Sequence, residues 1–448
     1  MEALHQHGLC HLLAVAGIPG YAAPQFEPQP AYAGAGRLTV VDGCHLADGA
    51  WSPAEAAGWW LARCEELSGP HDEYGRWDPT GSLSWELRHT PPLDRWAHEL
   101  LPLAEARAAE RGFPLVRIAC WPEGAALACS GSHDIDHVRK WRLATLGSYL
   151  LGRGRPARIG RLQALREYLG GTEPWWRFDD IRELEQELGF DSTWFVIPRQ
   201  RHQFDTPFTL QHRRDRQQVD ALRAAGQEVG VHGSCAGLER TELAAIERQE
   251  MEGAVGVRQH WLRFTVGESW PAQAAAGYCY DSSLGFTHGW GLRGGTAFPF
   301  AAWDHTTGNP LEMGELPLTV MDREGTNDPQ LPQKLLEAVG GGHLNLLWHV
   351  AAFDDRDFPG YGEMYRRVIE AAQDAGAWFA SLAQVWEWWR RRARIDLEPS
   401  KTGLTLNAPE RLEGVVLRGP LKPPRGGSAI EGGVALPVVQ GRLELEWS

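Results

Sequence analysis

No stretch of this chain approaches the roughly 20 consecutive apolar residues that a bilayer span requires. The N-terminal apolar stretch Leu9 to Gly17 is interrupted by His11 and has neither a basic flank nor an evident cleavage site. The expectation is a soluble, cytoplasmic protein. Cys-x-x-Cys pairs are missing too. The seven cysteines, at positions 10, 44, 64, 120, 129, 235 and 279, are odd in number and scattered. They offer no disulfide framework and no structural zinc knuckle, and a reducing compartment suits them best. Positive charge is in short supply: 44 Lys and Arg against 58 Asp and Glu give a net charge of −14, with no long basic run. That argues against nucleic acid or an anionic membrane as the main partner. Tryptophan, by contrast, is abundant at 21 residues, and aromatic faces suit sugar rings as well as cores.

At 448 residues the chain exceeds the size at which one core stops growing, about 250 to 300 residues. Three regions are expected. Residues 1–112 are Pro- and Gly-rich, with a strand candidate at Arg37–Val41 and helix candidates at Ala54–Leu67 and Leu93–Arg111, and read as a small N-terminal accessory domain. Residues 113–394 alternate short apolar runs with amphipathic helices. The strand candidates are Leu115–Ala119, Ala126–Cys129, Thr193–Ile197, Glu228–His232, Trp261–Phe264, Leu316–Val320 and Leu344–Val350. The helix candidates are Phe178–Leu188, Asp215–Ala225, Thr241–Gly253, Gln330–Val339, Met364–Ala375 and Leu382–Arg394. Such alternation predicts parallel strands joined by crossover helices, hence an α/β sheet or barrel. Residues 395–448 switch to short β segments separated by Pro- and Gly-rich turns.

Chemistry-bearing residues sit at the ends of the strand candidates. Ser130-Gly-Ser-His133-Asp134-Ile-Asp136-His137 follows the apolar run 125–129 and packs two carboxylates and two imidazoles into five residues. Asp oxygens and His nitrogens suit a divalent ion, and loops at strand ends converge on pockets. His232 ends the alternating run Glu228-Val-Gly-Val-His232, where a structural hydrogen-bonding role is equally open. Arg258-Gln-His260-Trp261-Leu-Arg263 supplies cations near a strand. The segments Tyr278–Phe286 and Gly294–Phe300 are polar-aromatic loops, and Leu344–His349 ends a buried-looking strand in a histidine.

Taken together, in order and spacing, these segments resemble the polysaccharide deacetylase superfamily, the NodB homology domain of carbohydrate esterase family four, in a bacterial branch with an extra N-terminal domain. The motifs that carry the resemblance are Asp134-Ile-Asp136, His232-Gly-Ser, Arg258, the Tyr280–Phe300 stretch and Leu347-Trp348-His349. The resemblance covers roughly residues 114 to 390 and implies a distorted (β/α)7 TIM-like barrel with its site at the C-terminal ends of the strands. It also implies a hydrolase that uses a divalent metal, zinc in the first instance, to remove acetyl groups from an N- or O-acetylated sugar or polysaccharide precursor. By resemblance Asp134 is the base, Asp136 and His232 are metal ligands, His349 is the acid and Arg258 holds the base ionised. Tyr280, Asp281, Trp261 and Phe298 are the candidate substrate contacts.

Two departures from the family pattern leave alternatives open. The family's Asp pair is adjacent, whereas Ile135 intervenes here, so the two Asp roles are interchangeable. The second His expected four residues after His232 is Ala236. His137, ahead of His133, is the substitute chosen for the third ligand. A site short of a ligand admits a rival reading, a glycan-binding protein without catalysis that uses Trp175, Trp176, Trp261, Trp290 or Trp348. A second rival is hydrolysis of a non-sugar amide C–N bond.

Overall fold

The structure, a computed structural model, describes residues 2–24, 40–41, 45–46, 52–152, 159–324 and 327–448. Its centre is a ten-stranded, mostly parallel sheet built from β1 (Leu127–Asp134), β2 (Thr193–Val196), β3 (Glu228–Gly233), β4 (Gly256–Gln259), β5 (Tyr280–Asp281), β6 (Phe300–Asp304), β7 (Asn309–Glu315), β8 (Val320–Met321), β9 (His343–Leu347) and β10 (Ala377–Phe379). The strands lie in the order β8-β9-β1-β2-β3-β4-β5-β7-β6. Only the β6–β7 pair is antiparallel. β10 lies beside the first half of β1 on the flank that β2 covers farther along. Among the described residues no ladder joins β8 to β6, so the sheet is an open, curled one and not the closed (β/α)7 barrel expected from the sequence.

Helices cover the sheet between strands. Those expected around 178–188, 215–225, 241–253, 330–339, 364–375 and 382–394 are present as Phe178–Leu188, Arg213–Ala224, Leu243–Glu250, Leu331–Val339, Tyr361–Asp374 and Leu382–Arg392. Their periodic apolar positions face the sheet, as with Val368, Ile369 and Ala372, all fully buried. Three strand expectations need correction, and in one of them, Leu316–Val320, only Val320 is in a strand (β8), with residues 316–319 forming the link from β7. The strand expected at Trp261–Phe264 is instead Gly256–Gln259, because Trp261 and Leu262 take left-handed backbone angles (φ 59° and 52°) that no strand accommodates. The run at Leu115–Ala119 forms the short strand Arg117–Ile118, which pairs outside the parallel sheet. Of the strand expected at Arg37–Val41, Val40–Val41 pairs with His45–Leu46, and residues 37–39 lie outside the described residues.

β1 is buried along its whole length despite carrying Ser130, Ser132, His133 and Asp134. A polar strand can be buried only if every polar atom is bonded. Ser130 Oγ donates to the Ala380 carbonyl at 2.7 Å and Ser132 Oγ to the Leu346 carbonyl at 2.6 Å. His133 bonds the Trp348 carbonyl at 2.7 Å through Nδ1 and Glu185 at 2.8 Å through Nε2. Since successive side chains alternate faces, His133 joins this helix-side network with Tyr365 and Glu185, while Asp134 points to the other face.

The C-terminal segment is a long hairpin, β12 (Gly403–Arg418) with β14 (Gly433–Glu446), flanked by β11 (Asp396–Pro399) and β13 (Ser428–Ile430). It completes the short pieces expected from the sequence into continuous strands, and Arg117–Ile118 pairs with β12. The N-terminal region packs a helix, Glu2–Ala16, on the helix Pro53–Leu61. One apolar cluster runs from Leu12 through Trp194 and Trp303 to Leu445, spanning all three regions. Two buried polar links fasten the first region to the sheet. Asp94 accepts from Thr296 Oγ1 at 2.5 Å and from the Ala297 amide at 2.8 Å. Glu66 accepts from Arg63 Nε at 2.8 Å and Arg293 Nε at 2.9 Å. Burial opposes the Glu66 charge, but the two guanidiniums hold its carboxyl below the ordinary glutamate value. Replacing Glu66 with Ala leaves two buried cations unpaired, so urea unfolding of Glu66→Ala should show a loss of about 3–5 kcal/mol.

Candidate metal centre

Asp134 ends β1, and Asp136 stands two residues farther on the same side, with Ile135 between them fully buried on the other. Next along the sheet, β3 carries His232 and β4 carries Arg258, paired in register. His260 follows Arg258 by two residues at the end of the same strand, so both side chains leave the sheet on one face. β8 and β9 contribute Asp322 and His349, each just beyond its strand.

Hydrogen bonds fix which imidazole nitrogens carry protons. His232 Nδ1 lies 2.9 Å from the Arg258 carbonyl, and His260 Nε2 lies 3.1 Å from the Phe204 carbonyl. A carbonyl can only accept, so each of those nitrogens donates and the opposite nitrogen of each neutral ring carries a bare lone pair. These two lone-pair atoms, His232 Nε2 and His260 Nδ1, face each other at 2.9 Å. Asp136 Oδ1 stands 3.3 Å from both and is buried without a hydrogen-bond partner. Asp136, His232 and His260 are the one set of three ligating side chains that meet at a common point among the described residues. Three donors held at about 2.0–2.2 Å around one tetrahedral ion stand about 3.3 Å apart, close to the spacing found. Electrostatics agree. Burial opposes charge on Asp136, yet His260, His232 and His349 keep its carboxyl well below the ordinary value. Burial likewise opposes a charged His260, and Asp136 raises it above an ordinary imidazole. The donor set fits a divalent cation.

Two further groups flank this set. Asp134 Oδ1 accepts from Arg258 Nη1 at 3.1 Å, and its Oδ2 lies 3.7 Å from His232 Nε2. The Arg258 guanidinium is itself fully engaged: Nη1 also reaches Ser132 Oγ at 2.8 Å, Nη2 reaches Ser282 Oγ at 3.0 Å, and Nε the Ser282 carbonyl at 3.0 Å. Opposite, His349 Nε2 stands 3.5 Å from Asp136 Oδ2, and its Nδ1 bonds Asp322 Oδ2 at 2.9 Å. The His349 amide donates to the same oxygen at 2.8 Å, so Asp322 sets both ring and backbone.

Two cavities, of about 460 and 380 Å³, open on these residues and share Asp136, His137, Arg323 and His349. A larger cleft of about 1330 Å³ beside Trp378 and Trp388 lies elsewhere and holds no such ligand set. His137, chosen from the sequence as third ligand, is exposed on the cavity wall and outside the ligand set, where His260 stands instead. The reason is the chain's course: β1 ends at Asp134, and the loop turns position 137 outward. Of the four expected substrate contacts, Trp261 alone lines either of these two cavities. Tyr280 is fully buried and donates to Glu228 at 2.5 Å, and Asp281 is buried against Ser283 and Gln273. Phe298 stacks in the core on Trp121, 5.9 Å away. Their polar and aromatic composition serves interior bonding. Trp348 is also core, whereas Trp175 lines the larger of the two cavities. His260 and Asp322 were missed by the sequence reading. The signal for His260 was its spacing of two from Arg258; Asp322 offered only its place after a short apolar run.

No family model matches the sequence, and no curated protein matches it. Solved structures do. A Mycobacterium smegmatis protein assigned to the polysaccharide deacetylases is 17% identical, covering 63% of this chain and 96% of its own, with a TM-score of 0.41. A peptidoglycan N-acetylglucosamine deacetylase is 8% identical over 58% of this chain and 88% of its own, TM-score 0.31. A pseudoenzyme of carbohydrate esterase family four from Bacillus anthracis is 10% identical over 58% and 66%, TM-score 0.31. The chain is similar in fold to polysaccharide deacetylases. What this chain does rests on its own donor set, Asp136, His232 and His260.

Titration with zinc against a chromophoric chelator tests that set. His260→Ala and Asp136→Ala should each weaken binding by more than about 100-fold, the upper end of what removing an outer-shell partner costs. His137→Ala should bind one equivalent as tightly as the unaltered chain.

Proposed function

We propose that the chain is a metal-dependent deacetylase of the polysaccharide deacetylase (NodB-like) superfamily, acting on an acetylated sugar or polysaccharide precursor. The observation that carries this reading is the convergence of Asp136 Oδ1, His232 Nε2 and His260 Nδ1 between an arginine-clamped carboxylate and an aspartate-oriented imidazole. A divalent ion, zinc being the best match to an Asp-His-His set, would be held by those three side chains and would supply Lewis acidity to the acetyl carbonyl and to water.

The remaining chemistry belongs to the chain. Asp134 serves as the general base, since Arg258 occupies its Oδ1 and leaves Oδ2 toward the ligand set to accept the proton of the attacking water. Arg258 also orients that carboxylate, since its Nη1 donates to Oδ1 at 3.1 Å. His349 serves as the general acid. Burial opposes its charge, but Asp322 and Asp136 raise it well above an ordinary imidazole. With Nδ1 committed to Asp322, Nε2 holds the proton to be given up. An amine is a far poorer leaving group than an alcohol and needs that proton before the C–N bond breaks, so this acid favours an N-acetyl substrate.

Acetate release from N-acetylated sugar oligomers by the zinc-loaded chain is the direct measurement. Asp134→Asn should lower kcat by about 10²- to 10⁴-fold, the usual contribution of a positioned base, while retaining zinc. His349→Ala should lower kcat with little change in KM. A zinc-loaded chain that binds acetylated sugars and releases no acetate from any of them would establish the glycan-binding reading instead.

A further inference from the structure

The two cavities make arms on either side of the candidate metal centre, and their walls differ. The larger arm is lined by Trp175, Phe358 and Tyr361 together with Val350 and two alanines. The smaller arm is walled by Tyr74, Arg76, Trp261 and His288, so the N-terminal region reaches the site. That reach is built in. Asp72 Oδ1 accepts from the backbone amides of Tyr74 and Arg76, both at 2.9 Å, and Arg263 Nε donates to the Tyr74 carbonyl at 2.8 Å. The Tyr74 ring meets Trp261 edge-on at 5.2 Å, and Trp261 stacks on Phe204 at 4.9 Å. Trp261 holds this place with left-handed backbone, a conformation that costs a non-glycine residue about 1–3 kcal/mol and persists where the surroundings enforce it.

The charges on these walls are placed unevenly. The acids lining the two arms sit at the centre, Asp134 against Arg258, Asp136 among His232, His260 and His349, and Asp322 against His349. The cations are Arg76 and Arg323. Arg76 uses Nε and Nη2 on Asp72 and lies over the Tyr74 ring at 5.2 Å, which leaves Nη1 uncommitted. Arg323, exposed and shared by both arms, makes no ion pair with a described residue. A chain of net charge −14 repels anions at long range, so a cationic mouth serves to focus one locally.

Resting on the deacetylase reading above, we infer that the substrate is an acetylated sugar bearing a negative charge, a carboxylate or a phosphate, which Arg323 and Arg76 bind in the smaller arm while the aromatic arm takes the neighbouring ring. Guanidinium groups present planar paired donors that match either oxyanion. The N-terminal loop then acts as a specificity wall and not as a spacer.

Calorimetric binding to the zinc-loaded full chain tests this with matched sugars: N-acetylglucosamine, N-acetylglucosamine 6-phosphate and N-acetylmuramic acid. One or both anionic sugars should bind at least about tenfold tighter than the neutral one, the increment expected of one charged hydrogen bond. A preference confined to the phosphate or to the carboxylate identifies which oxyanion is read. In Arg323→Gln the ratio should fall toward one, with the loss repeated in Arg76→Gln, and Arg323→Lys should restore part of it. Added salt should reduce the preference. Equal affinities, no measurable binding of any of the three, or a ratio unmoved in both Gln variants would overturn the inference. Acetate release, followed separately on the same sugars, distinguishes the two readings, since an inert chain that still prefers the anionic sugars loses the hydrolase and keeps the anion site.

Discussion

Three electron pairs cannot meet at one buried point unless positive charge lies among them, and the site is organised by that constraint. The carbonyls of Arg258 and Phe204 take the other nitrogens of His232 and His260, which turns both rings so that their lone pairs face inward. Asp136 Oδ1 completes the trio with no protein donor of its own. A single proton could quiet one pair, and the raised His260 value records that pull. A divalent ion would answer all three at once. The backbone carbonyls therefore act as second-layer supports that choose the tautomers in advance.

Arg258 is the strut that joins this centre to the sheet. A buried guanidinium is tolerated only when its donors are used, and here Ser132, Asp134 and both polar atoms of Ser282 use them, with Phe195 beneath the cation at 4.5 Å. The bonds run from β1 to the turn after β5, so the carboxylate beside the ligand set is located by three strands. The open sheet keeps its geometry at this edge through such polar ties as much as through apolar packing. The N-terminal region is bound in by the same device, with Glu66 between Arg63 and Arg293.

Strand ends and helices were legible in the sequence because apolar periodicity is a local property. Phe178–Leu188 and Leu331–Val339 stand within a residue of where their patterns put them. Closure of the sheet was not legible: β6 and β8 are near neighbours in the chain, yet whether their edges pair depends on the curl of the seven strands that lie between them in the sheet. Composition misled at Tyr280, Asp281 and Phe298, where aromatic and polar residues that read as a pocket lining are interior partners of Glu228, Ser283 and Trp121. The helix Glu2–Ala16 was hidden by its histidines, which it buries against Trp303 and Phe300. Tyr74 and Arg76 could not have been placed at the centre from sequence, because a loop some 50 residues before β1 reaches it only through tertiary packing.

The position of the third ligand changes how the centre behaves mechanically. A histidine at position 236 would have hung from a short helical turn, Cys235–Leu238, next to His232 on a connection between strand and helix. His260 instead comes from the end of β4, two residues past Arg258 and one strand over. Ligand and base clamp thus share a strand and move together. A shift of β4 that displaced His260 would also withdraw Arg258 from Asp134, so the candidate ligand set and the carboxylate beside it depend on one strand. The left-handed turn at Trp261 fixes where that strand ends, and Tyr74 and Phe204 pack on the same side chain. Trp261, which walls the smaller arm, directly follows His260 in the chain, so the arm and the candidate ligand set share one backbone turn.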